Sequence, residues 1–150
     1  MFRNFTKYKN YKMKKTSLVF IAILLSTLGF TQDEEVVSKK THIDIYYFHR
    51  TDRCETCVSI EENTKNVLEK NFATELKEGT ISFKSINFEG DDDKEIIEKY
   101  KADGPSLFLT RMKKTKETTK NMTDFALNNS RYNPEKFKNG LRDKINGLLR

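Results

Sequence analysis

The stretch Tyr46-Tyr47-Phe48-His49-Arg50-Thr51-Asp52-Arg53-Cys54-Glu55-Thr56-Cys57-Val58-Ser59-Ile60 decides the fold. An apolar run stops at a polar turn, a Cys-x-x-Cys follows, and a helical pattern begins at once. The first N–H groups of a helix lack intrahelical partners, and the helix dipole places partial positive charge there. A thiolate at that end is stabilised, so its pKa falls below the free value of about 8.5. Cys54 is expected at or near the N-cap, with Arg53 and Arg50 adding positive charge and Glu55 opposing them. Cys57 lies close to one turn further on, so the two sulfurs can meet. It also falls on the stripe Cys57, Ile60, Thr64, Val67, with Leu68 and Phe72 beside it, which is the expected buried face. An exposed Cys54 attacks and a sheltered Cys57 resolves the mixed disulfide. These two are the catalytic candidates.

Other uses of such a pair exist. As a structural staple it closes so short a loop that the chain-entropy gain is only roughly 2 kcal/mol. A zinc site needs about four ligands, and the chain offers the two thiols plus His42 and His49. A soft ion such as Cu(I) can also be held by two thiolates alone.

The chain has 28 Lys+Arg and 22 Asp+Glu, a formal charge of +6. Its 150 residues suit one domain. The excess charge sits at the start: Arg3, Lys7, Lys9, Lys12, Lys14 and Lys15 precede the first acidic residue, Asp33. Without those six, basic and acidic residues balance. No basic patch with interleaved aromatics argues for nucleic acid.

The apolar run Leu18 to Phe30 follows that basic stretch and matches the n- and h-regions of a secretory signal. It is short for a span of about 20 residues. Gly29 and Thr31 are small residues suited to cleavage before Gln32. The expected organisation is a signal peptide over 1–31, with Met13 as an alternative start, a polar linker over 32–41 and a folded domain over 42–150. A periplasmic or secreted location follows, with no stable membrane span after cleavage; an uncleaved N-terminal anchor is the alternative.

Within the domain, Ile43, Ile45 and Tyr47 alternate with Asp44, Tyr46 and Phe48. Apolar residues on both faces predict a central strand covered by helices. His49 ends this strand and is a candidate proton acceptor for the thiols, or a plain hydrogen-bonded histidine. The first helix runs from Cys54 to between Lys70 and Leu76, with Glu61, Glu62, Lys65, Glu69 and Lys70 on its solvated face, and Gly79 stops the segment. Ile81, Phe83, Ile86 and Phe88 mark a second strand, parallel to the first after a helical crossover. Asp91-Asp92-Asp93 opens a short helix with Ile96, Ile97 and Tyr100 facing inward; the acids suit its positive end, and the spacing of a calcium loop is absent. Pro105 precedes the strand residues Leu107-Phe108-Leu109, a place where no ladder bond is lost. Lys113 to Lys120 reads as a hairpin turn into a charged edge strand. Residues 121–133 read as a loop near the site. Asn133-Pro134 gives an N-cap and N1 pair for a final helix carrying Phe137, Leu141, Ile145 and Leu148 inward.

The order strand, helix, strand, helix, strand, strand, helix, with the CxxC opening the first helix, resembles the thioredoxin-like superfamily. The resemblance implies an α/β fold with a glutaredoxin-type core, a four-stranded mixed sheet with helices on both faces. In such folds a cis proline faces the CxxC, and Pro105 holds that place in sequence order. From Tyr46 to its end the chain more narrowly resembles the bacterial thioredoxin-like family of nitrophenyl compound nitroreductase subunit ArsF. The matching residues are Tyr47-Phe48-His49, Arg53-Cys54-Glu55-Thr56-Cys57, Ile60-Glu61, Ser85-Ile86-Asn87, Lys99-Tyr100 and Asn133-Pro134-Glu135-Lys136. This implies a small exported protein that passes electrons through its dithiol, with Cys54 and Cys57 catalytic, Pro105, Arg53 and His49 shaping the site, and the Cys54–Cys57 disulfide in place of a cofactor. The partner is then a protein thiol or disulfide, or a membrane electron donor. No Trp precedes Cys54, and Glu55-Thr56 stands where thioredoxin has Gly-Pro. Two alternatives stay open: a thiolate-based metal or metalloid-binding module, and a non-catalytic thioredoxin-fold subunit of a nitroreductase-type system that uses 121–133 as its contact surface.

Overall fold

The computed structural model describes residues 41–150. The expected signal peptide and all but the end of the expected linker lie outside the described residues. No helix among the described residues is long and apolar enough to cross a membrane.

Strand β1, His42–His49, carries the alternation seen in the sequence. Helix α1, Glu55–Asn71, follows it, then a short α2, Ala73–Lys77. Gly79 ends this segment with a φ of 68°, a left-handed conformation that a Cβ disfavours. Strand β2, Ile81–Asn87, then pairs parallel with β1, Ile43 opposite Ile81. Helix α3, Lys94–Tyr100, leads to β3, Ser106–Lys113, which runs antiparallel to β1 with Tyr47 opposite Leu107. Lys114, in the left-handed region, turns the chain into β4, Lys116–Asn121. Two helices close the chain: α4, Thr123–Asn129, and α5, Pro134–Leu149. The sheet order is β2-β1-β3-β4. The α/β architecture with a four-stranded mixed sheet is as expected.

Because side chains alternate along a strand, β1 feeds two cores. Ile43, Ile45 and Tyr47 face α1, α4 and α5, packing with Ile60, Val67, Leu68, Ala126, Phe137, Leu141 and Ile145. Phe48 faces the other way, with Ile86 and Ala102, and Tyr46, Ile96, Ile97, Tyr100 and Phe108 pack against that cluster. Helices therefore cover both faces. Each fully buried aliphatic chain contributes roughly 1.5–3 kcal/mol, so β1 is where a truncation costs most. The predicted stripes hold: Cys57, Ile60, Thr64, Val67 and Leu68 are the buried residues of α1, and Phe137, Leu141, Ile145 and Leu148 those of α5.

Two local expectations are revised. Residues 121–133 are not simply a loop: they contain the end of β4 and helix α4. That helix is held by side chains, Leu107 N–H donating to Thr123 Oγ1 and Asn129 Nδ2 to the Phe125 carbonyl. Asn133 stands at the N-cap of α5, but its side chain makes no capping bond. Asp44 sits half-buried, accepting from Ser82 Oγ and lying 2.7 Å from His42 Nε2.

Candidate active site

Strand β1 delivers the chain to a loop, residues 50–53, that is pinned before the helix starts. Glu89 accepts from the Thr51 N–H at 2.9 Å, and Asn87 Nδ2 donates to Thr51 Oγ1 at 3.0 Å. Hydrogen bonding from Thr51 holds the Glu89 carboxyl below its usual range. Arg50 lies near Glu89 and over the Phe88 ring.

Cys54 is the N-cap of α1. Its backbone is extended, φ −74° and ψ 162°, and its sulfur accepts from the Cys57 N–H at 3.3 Å. A cap position turns a side-chain acceptor onto the orphan donors of the first turn. Cys54 is exposed, whereas Cys57 is 3% exposed, and both are free thiols. The two sulfurs lie 2.6 Å apart.

The two thiols are driven in opposite directions. Cys54 falls below its usual value: the Cys57 side chain and then the Cys57 N–H hydrogen-bond to its sulfur. Cys57 rises, first through burial and then because its S–H donates to the Cys54 sulfur, a bond that favours the protonated form. One helix turn thus separates an exposed thiol whose anion is favoured from a buried thiol whose protonated form is favoured.

The site-shaping residues sit differently from the sequence expectation. Arg53 is half-buried and not splayed into solvent beside Cys54. Its guanidinium turns inward, onto Glu61, onto the Cys57 carbonyl at 3.3 Å and over the Tyr47 ring at 5.8 Å. Glu61 is therefore not on a solvated face; it takes Arg53, Lys65 at 2.6 Å and Ser85 at 3.1 Å. Burial opposes its charge, but bonds from Lys65, Arg53 and Ser85 outweigh burial and lower its pKa. A spacing argument places Glu61 one turn after Cys57, but nothing in the sequence says that Arg53 reaches it. Tyr47, read from sequence as a core residue, donates its hydroxyl to the Cys57 carbonyl at 2.9 Å.

His49 Nδ1 lies 2.9 Å from the Arg50 carbonyl. A carbonyl only accepts, so Nδ1 donates and Nε2 is the nitrogen left able to take a proton. His42, the other histidine of a zinc set, is at the far end of β1, about 23 Å away at strand rise. Its Nδ1 donates to the Gly79 carbonyl at 2.8 Å. The four-ligand arrangement therefore does not converge. Pro105 immediately precedes Ser106, which pairs with Phe48, so it stands at the end of the two central strands where β1 runs into the cysteine loop. Its peptide bond is trans, since no cis bond occurs among the described residues; the resemblance implied cis at this place.

The far flank of the site comes from the α4–α5 connection. Arg131 pairs with Glu55 and lies 5.2 Å from the ring of Tyr132, which is 72% exposed. Asn63 Nδ2 donates to the Ser130 carbonyl at 3.0 Å. This connection is thus tied to α1 at Glu55, next to Cys54, and at Asn63. A separate concavity of about 660 Å³ lies between β4, α4 and α5, lined by Phe125, Gly140, Lys144 and Gly147 among others; the cysteines do not line it.

No protein-family model matches the chain, and no curated protein matches it. A solved structure described as "Structure of a malarial protein" is 13% identical over 57% of this chain and 92% of that chain, with a TM-score of 0.37. A likeness at that level carries no argument about fold or function.

Proposed function

We propose that this chain is a thioredoxin-like thiol–disulfide oxidoreductase or dithiol electron carrier. The observation that supports it is the asymmetry of the pair: Cys54 exposed at the helix N-cap and Cys57 buried one turn behind it, sulfurs 2.6 Å apart. The Cys54 thiolate attacks a partner disulfide, one partner thiolate leaves, and Cys57 then displaces the second. The pair gives up two electrons and becomes the Cys54–Cys57 disulfide. The exposed Tyr132, next to the Arg131 that pairs with Glu55, suits a protein partner better than a small one. The resemblance to the nitroreductase-subunit family fits the same chemistry, with the dithiol relaying electrons to a partner. An exported location agrees with it, since outside the cytosol the pair must be reduced by a delivered donor.

In cells or extracts, Cys57→Ser is expected to accumulate mixed disulfides through Cys54, and Cys54→Ser to accumulate none. Reduced protein is expected to alkylate at Cys54 first. Equal alkylation of both thiols near pH 8.5, with no trapped partner, would overturn the proposal. Native mass spectrometry showing a retained soft metal ion would favour the metal- or metalloid-binding alternative.

A further inference from the structure

Tyr47 is wholly buried under the first turn of α1, and its hydroxyl donates to the Cys57 carbonyl at 2.9 Å. That oxygen has more donors than it can serve. Within α1 it accepts the helix N–H four residues on, and Arg53 Nη2 reaches it at 3.3 Å. A carbonyl oxygen has two lone pairs, so three donors compete for two places. The helix N–H is fixed by the backbone, and the guanidinium is anchored on Glu61. The hydroxyl is the donor free to rotate. A second acceptor belongs to the same residue: the Cys57 sulfur, buried like the Tyr47 ring whose hydroxyl already reaches the Cys57 carbonyl. Burial also drives the phenol's own ionisation far upward, so it remains a donor.

We propose that the Tyr47 hydroxyl turns from the Cys57 carbonyl to the Cys57 sulfur when that sulfur becomes a thiolate, so that Tyr47 serves the resolving step. The inference rests on the dithiol reading above. In the mixed disulfide, Cys57 gives its proton to the partner thiolate released in the first step. The Cys57 thiolate then attacks Cys54 Sγ. The Cys54–partner S–S bond breaks, the Cys54–Cys57 bond forms, and the partner sulfur leaves with the electron pair and takes a proton from water. Tyr47 keeps its own proton throughout. The Cys57 carbonyl loses nothing essential, since its helix N–H and Arg53 remain.

The size of the effect follows from two opposing trends. A hydrogen bond to a charged group raises the thiolate fraction by about tenfold or more below the pKa. Nucleophilicity falls as pKa falls, with a Brønsted slope of about 0.4–0.5. The net gain in resolving rate is roughly three- to tenfold.

The test is stopped-flow reduction of an aromatic disulfide whose thiolate is coloured, which reports Cys54 attack and Cys57 resolution as separate phases. Tyr47→Phe keeps the ring and removes the hydroxyl. The first phase is expected to be unchanged and the second slowed roughly three- to tenfold, with its pH midpoint moved upward. Equal slowing of both phases, or no change in the second, overturns the inference while leaving the dithiol reading intact. A first phase that persists in Cys54→Ser overturns the dithiol reading and the inference with it. Should Tyr47→Phe not fold, 3-fluorotyrosine at position 47, a stronger donor, decides: a faster second phase supports the inference, and an unchanged one overturns it.

Discussion

Glu61 sits among the charged residues of α1 that periodicity assigns to solvent, yet Arg53, Lys65 and Ser85 all converge on its carboxylate. Its folded pKa is lowered from an ordinary value of 4.5. A depressed carboxyl contributes stability that is fully present above the unfolded value and is lost as pH falls through the folded one. Glu61→Gln leaves Arg53 half-buried without its anion. A loss of about 2 kcal/mol in denaturant unfolding at pH 7 is expected, between the values for exposed and for buried pairs. The difference from wild type should shrink as pH falls through the lowered folded pKa, where the native carboxyl itself takes a proton. A pH-independent difference would mean that the charge is irrelevant. Arg53 shows the same limit of sequence reading: its position beside Cys54 is legible, but its direction depends on Tyr47 and Glu61 being underneath.

At the scale of elements, α5 carries two glycines that the sequence does not distinguish. A Cβ at Gly140 would meet Phe125 Cζ at 2.4 Å, and that ring is stacked on Phe137 with centroids 6.1 Å apart. A Cβ at Gly147 would meet nothing within 4 Å. Alanine improves helix propensity by up to about 1 kcal/mol at either place, but overpacking costs about 1–3 kcal/mol. Thermal unfolding should therefore show Gly140→Ala destabilised by about 1 kcal/mol and Gly147→Ala stabilised by about 0.5 kcal/mol. The α4–α5 connection makes a different kind of contribution, presenting Tyr132 beside the Arg131–Glu55 pair. Removing so exposed a ring by Tyr132→Ala should change stability by less than about 0.5 kcal/mol. Under the proposed function it should slow reduction of a protein disulfide severalfold while leaving a small aromatic disulfide unaffected. Equal rates on the protein disulfide would remove this surface from the partner contact.

For the whole molecule, the load is carried by two cores on opposite faces of one sheet, not by the cysteines. In the dithiol state the pair imposes no cross-link, and its oxidised loop is too short to restrict the unfolded chain much. A Cys54→Ser/Cys57→Ser double variant should keep its circular dichroism spectrum and a melting midpoint within about 5 °C of the reduced wild type. Under the proposed function it should transfer no electrons. Retained function in that variant would instead support the non-catalytic subunit.

Sequence alone determined the strands, the two long helices and the cap position of Cys54, because alternation, helical stripes and a CxxC after an apolar strand are local patterns with local causes. It also set which cysteine is sheltered, since Cys57 shares a stripe with Ile60 and Thr64. Helix α4 was not legible: it spans barely two turns, and Thr123 and Asn129 are satisfied by bonds that packing against β3 and α5 makes available. The inward turn of Arg53, the burial of Glu61 and the meeting of Tyr47 with Cys57 were decided only by tertiary structure. Each joins residues from β1, the cysteine loop and α1 whose side-chain directions are fixed once the helix lies across the sheet.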